Sequence, residues 1–141
     1  MGIKSDFVVA TEAEVRGFVD EPHAHAQLWR FAVAGLLSEH VDALVTAAAE
    51  LAGSDDVLED AFDAGPDGPW ASRIPPATTR VLGAATPAIR HELGARWRVI
   101  DAEAEHEAVR LGSLCTDLIG PICDLAARVG GERQLFLVIS I

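Results

Sequence analysis

Two histidines two residues apart, His23 and His25, stand beside Asp20 and Glu21 in a stretch broken by Pro22. Imidazoles at this spacing face the same way on an extended segment. With a nearby carboxylate they would supply three ligands of a metal site that keeps one position open. The plainer reading is a solvated turn, since the ligand set is completed only by borrowing distant residues. Glu103 and His106 share the i, i+3 spacing of carboxylate-bridged dimetal bundles, but those sites need a second copy of the motif and two further glutamates. His91-Glu92 is followed by Leu93-Gly94-Ala95, with no second histidine at 95, which breaks the zinc-protease pattern. Asp63, Asp67 and Gly68 have the outline of a calcium loop. Its third position would be Gly65 and its twelfth Ile74, where a bidentate glutamate is required.

Nucleophilic chemistry finds equally little. There is no G-x-S-x-G, and neither Cys115 nor Cys123 has a base beside it in sequence. Eight residues of straight helix would hold the two sulfurs roughly 12 Å apart, too far for a disulfide, so both read as small buried hydrophobes. Gly130-Gly131 follows a helical pattern and precedes a strand, the reverse of a dinucleotide fold. No cofactor is predicted from these residues.

Charge is the more informative property. Over 141 residues the formal net charge is −11. A field of that sign repels DNA, RNA and anionic lipid, because phosphate binding requires clustered Lys and Arg. It favours cationic ligands and basic proteins. The negative charge concentrates at Asp55, Asp56, Glu59, Asp60, Asp63 and Asp67, with no base before Arg73 and with Trp70 close by. Asp60, Asp63, Asp67 and Trp70 are therefore the candidate partner-binding residues, and His23 and His25 the candidate metal ligands. Ordinary solvation of a surface segment is the competing account of such a charge run. The leading expectation is a non-catalytic interaction protein whose acidic surface engages a basic protein partner, as an inhibitor, immunity-type protein or adaptor. The alternative is a small-molecule binder or enzyme with a histidine-containing, metal-dependent pocket. Self-association into a homo-oligomer through Ala-rich helix faces is a third.

The N-terminal MGIKSDFVVA lacks a basic segment followed by an apolar one, and no run reaches the length of a membrane span. A cytoplasmic protein is expected.

The elements that must position these residues follow from periodicity. Asp6–Ala10 reads as a first strand. Thr11 and Glu14 form a Thr-x-x-Glu capping box for a helix reaching about Val19. Residues 26–37 fit either helix or strand, and helix is the expectation taken. Ser38 caps a helix over Glu39–Ala52 with Gly53 as its stop. Residues 54–76 read as loop, with at most a short helix over Val57–Phe62. Pro75-Pro76 opens a helix through Leu82, and Thr86-Pro87 opens another whose apolar face is Ile89, Leu93 and Trp97. Asp101–Glu107 is expected to begin one last long helix reaching Val129, with Leu111, Leu114, Cys115, Leu118, Ile122, Leu125, Ala126 and Val129 as its buried face and a kink at Pro121. Leu135–Ile139 is almost continuously apolar, the mark of a strand buried on both faces.

Ser5-Asp6-Phe7, Gly68-Pro69-Trp70 leading into Pro75-Pro76, Ala95-Arg96-Trp97, and Gly130-Gly131 before LFLVIS are spread over most of the chain. In these the chain resembles a group of small actinobacterial proteins of no established activity. The resemblance implies an α+β fold and transfers no site. The predicted architecture is a single α+β domain over 1–141. A small, mainly antiparallel sheet would include the N- and C-terminal strands and be covered by four to six helices.

Overall fold

Phe7, Val8 and Val9 are apolar on both faces of an extended segment, and Leu135 to Ile139 repeat that pattern. Strands of this kind need a layer on each side. In the computed structural model, which describes residues 2–21, 27–63, 68–105 and 107–141, they form β1 (Lys4–Ala10) and β5 (Gln134–Ser140). The two pair antiparallel along their whole length, from Lys4 opposite Ser140 to Ala10 opposite Gln134. Outside β1 lies β2 (Arg30–Ala34), and beyond β5 come β4 (Trp70–Arg73) and β3 (Glu59–Asp63). Among the described residues the result is one five-stranded antiparallel sheet of order β2-β1-β5-β4-β3, with five helices. The α+β expectation, with both terminal strands in the sheet, holds.

Strand alternation sorts the two cores. Phe7, Val9, Leu135, Leu137 and Ile139 point into the larger one. It is completed by α2 (Ser38–Ala52), α3 (Pro76–Gly83), α4 (Pro87–Glu103) and α5 (Leu114–Ala126), through Leu44, Leu82, Leu93, Trp97 and Ile122. Val8, Ala10, Phe136, Val138 and Ala71 face the other way and meet Val15 and Phe18 of α1 (Glu12–Asp20). One face thus carries four helices and the other a single short one.

The expected caps form at Thr11, Gly53 and Thr86, but not at Ser38: α2 begins at Ser38 with Leu37 as its N-cap residue, and the His40 ring accepts the Leu37 N–H. Thr11 Oγ1 accepts from Glu14 N at 3.1 Å while Glu14 Oε1 accepts from Thr11 N at 3.0 Å. Gly53 ends α2 in the left-handed conformation at φ 67°, and Thr86 Oγ1 accepts from Ile89 N with Pro87 at the first helical position. Among the described residues, no helix is long and apolar enough to cross a membrane.

Three expectations are corrected. Residues 30–34 are a strand rather than a helix: Phe31 and Val33 point inward opposite Phe7 and Ser5, while Arg30, Ala32 and Ala34 are exposed, a period of two. Residues 59–63 and 70–73 form a hairpin rather than loop and helix. The acidic side chains of β3 hid its pairing with β4, yet an edge strand tolerates charge, which also discourages pairing with other chains. The last helix does not run from 101 to 129. Asp101 instead lies near the end of α4, fully buried, and its Oδ2 accepts from Leu111 N at 2.9 Å. Arg110 donates to the carbonyls of Asp101 and Ala104, and Gly112 turns at φ 58° before α5 begins. With the helix start moved, Leu114 becomes exposed, and Ile119 and Cys123 join the buried face. The chain stays helical through Pro121.

Candidate functional site

The register of the β3–β4 hairpin decides which charges meet. Glu59 stands opposite Arg73, on the side of the sheet that α1 covers. The next strand, β5, brings Gln134 beside Arg73, and the capping box of α1 holds Glu12 in that helix's first turn over the same end of the sheet. A cavity of about 270 Å³ opens there, lined by Glu12, Glu59, Asp60, Arg73, Glu132 and Gln134, with Ala61 and Phe136 as apolar walls. The carboxylates of Glu12, Glu59 and Glu132 surround one guanidinium; Asp60 adds backbone to the wall, and its side chain turns to the other face, toward Asp42 of α2.

Arg73 is half-buried and largely committed. Nη2 donates to Glu59 Oε2 and Nη1 to Gln134 Oε1 at 3.1 Å, while the buried Nε has no hydrogen-bond partner among the described residues. Glu12 bonds Arg16 one helical turn along, in an exposed pair that contributes little to stability. Excess negative charge extends beyond the cleft. Asp42 on α2 has its carboxyl pushed up by desolvation and then by the like charges of Glu39 and Asp60. Carboxylates that raise one another's pKa gain from a cation that neutralises them.

Next to the cleft the balance reverses. Arg133 clamps Glu14 with two parallel bonds, Nε to Oε1 and Nη2 to Oε2, both at 3.0 Å. The Arg133 fork, with the Thr11 backbone N–H, holds the Glu14 carboxyl down at about 2. The same carboxylate therefore caps α1 and ties it to the chain entering β5.

The four acidic-surface candidates separate. Asp60 adds backbone to the cleft wall and turns its carboxylate toward Asp42; Asp63 pairs through its backbone with Trp70 in the hairpin register; Asp67 lies outside the described residues. Trp70 is half-buried and packs against the larger core. His23, His25 and His106 also lie outside the described residues. Among the described residues no group of three or more His, Cys, Asp or Glu is arranged to hold a metal ion. His91 is exposed on α4, and His40 is buried with both ring nitrogens engaged. Burial pushes the Cys115 thiol up to about 12 and Cys123 up to about 11, so both stay protonated and unreactive at neutral pH.

Glu12, Glu59, Arg73, Glu132 and Gln134 escaped the reading of the sequence as site residues. The acidic run pointed to the neighbourhood of Glu59, but only strand register brings residues 12, 59, 73 and 132–134 to one place. No family model, curated protein or solved structure matches the chain.

Proposed function

We propose that the protein is a non-catalytic binding protein whose acidic cleft receives a basic side chain from a protein partner, in the manner of an inhibitor, immunity-type protein or adaptor. The observation that carries this reading is the convergence of Glu12, Glu59 and Glu132 on one cavity whose base among the described residues, Arg73, is already bonded to Glu59 and Gln134, with the Asp60 and Asp42 carboxylates extending the negative field on the other face of the same edge. An incoming guanidinium or ammonium finds acceptors on several walls and relieves the repulsion felt along this edge of the molecule. Such complementarity steers encounter and fixes specificity more than it adds affinity.

The test is titration with a synthetic arginine-rich peptide at low salt. In the double variant Glu12→Gln, Glu132→Gln the affinity should fall about tenfold, as expected from removing a few partly screened charge contacts. A control variant with Glu103 and Glu105 changed to Gln removes the same amount of negative charge but leaves the cleft intact, and it should bind like the wild type. Equal weakening in both variants would mean that the peptide reads overall charge. The acidic edge of β3 would then serve only to keep that strand from pairing with other chains.

A further inference from the structure

On the other side of Gln134 lies a second cavity of opposite character. It encloses about 200 Å³ between the start of α3 and the turn that leads from α5 into β5, and its polar lining residues are Thr79, Arg80, Arg133 and Gln134. Among the described residues no carboxylate lines it, although the chain as a whole carries a formal charge of −11.

Each polar side chain of this lining has a donor to spare. The exposed Arg80 guanidinium makes no hydrogen bond or ion pair among the described residues. Arg133 spends Nε and Nη2 on Glu14, which leaves Nη1. Gln134 gives its Oε1 to Arg73, so the remaining group on that side chain is the amide NH₂. Thr79 is 6% exposed, and its buried hydroxyl has no hydrogen-bond partner among the described residues. An unsatisfied buried hydroxyl is costly, and a cavity wall is where a ligand can satisfy it. Pro76, at the first position of α3, also lines the space and brings the positive end of that helix to it.

We propose that this cavity binds a small oxyanion, a phosphate or a carboxylate, held between Arg80 and Arg133 with Thr79 and Gln134 completing its hydrogen bonds. Two guanidinium groups with donors to spare match the acceptor-only oxygens of such a group. The acidic cleft offers the opposite chemistry, so the two cavities do not compete for one ligand. The inference is independent of the reading of that cleft.

The experiment is thermal unfolding of the full chain titrated with inorganic phosphate and, separately, with acetate, replacing chloride at constant ionic strength. For millimolar affinity, about 10 mM of the fitting anion should raise the midpoint by roughly 3 °C and then saturate. Response to phosphate alone or to acetate alone identifies which oxyanion fits, and either supports the site. Arg80→Gln should abolish the rise, whereas Arg98→Gln, the same loss of charge on the exposed side of α4, should keep it. No saturable rise with either anion, or a full rise in Arg80→Gln, would overturn the proposal.

Discussion

Asp6 is the residue whose chemistry and surroundings disagree most. It lies on β1, 3% exposed, with Oδ1 lacking a hydrogen-bond partner among the described residues. Burial raises its pKa above the ordinary 3.8, against the opposing pull of Lys4 and Arg30. A carboxyl raised by folding contributes its stability in the protonated form, so that contribution is complete below 3.8 and is lost as the pH rises. Asp6→Asn should therefore unfold at a higher midpoint than the wild type at pH 7, with the gap closing as the pH falls below 4. An unchanged midpoint at pH 7 would show that Lys4 and Arg30 fully compensate the burial. His40 is the opposite case, a buried polar group with its needs met. Leu37 N donates to Nδ1 at 2.9 Å, so Nε2 carries the proton and donates to Val109 O at 2.7 Å, while Trp97 Nε1 donates to the His40 carbonyl at 2.8 Å. His40→Ala strands Leu37 N–H and Val109 C=O and opens a void, which should cost about 3 kcal/mol in urea unfolding. Nothing in the sequence distinguishes His40 from the other four histidines, because its partner carbonyl is 69 residues away.

At the scale of elements, the joint between α1 and β5 has a definite acid response. Folding lowers the Glu14 pKa from the ordinary 4.5 to about 2, so the stabilisation from this joint is present above 4.5 and is lost as the pH falls toward 2. Arg133→Gln should flatten that loss between pH 5 and 2 in a midpoint-versus-pH series, and an unaltered acid limb would remove the joint from the account. The α3–α5 contact is held by a close backbone approach. A Cβ on Gly83 would lie 3.1 Å from Ala126 O and 3.3 Å from Ala127 Cα, so Gly83→Ala should cost about 1–2 kcal/mol by forcing the helices apart, despite alanine's better helix propensity. A more stable variant would mean that α5 yields at no cost. Elements with local signals were legible: the Thr11–Glu14 box, Gly53, Pro76 and Thr86-Pro87 each mark a terminus by satisfying or removing a backbone group. Elements defined by a neighbour were not. Arg30–Ala34 and Glu59–Asp63 become strands because β1 and β4 accept their backbone bonds, and the 104–113 connection is set by the buried Asp101 carboxylate.

For the whole molecule the C-terminal strand is the decisive element. β5 pairs with β1 on one side and with β4 on the other, and it contributes Leu135, Leu137 and Ile139 to the larger core and Phe136 and Val138 to the smaller. Removing Leu137 to Ile141 should abolish cooperative unfolding monitored by circular dichroism; a truncated chain with a native-like transition would show that the sheet survives without its centre. The sequence by itself determined that this strand is buried on both faces, that both chain ends join an antiparallel sheet, where four helices begin, and that the surface is strongly acidic. Those properties follow from composition and from contacts within a few residues. Only the tertiary structure decided that 30–34 and 59–63 are strands. It alone brought Glu12, Glu59 and Glu132 to one cleft, and left Thr79, Arg80 and Arg133 around a cavity beside it. Register between distant strands sets which side chains become neighbours, and a one-residue shift would send each to the opposite face.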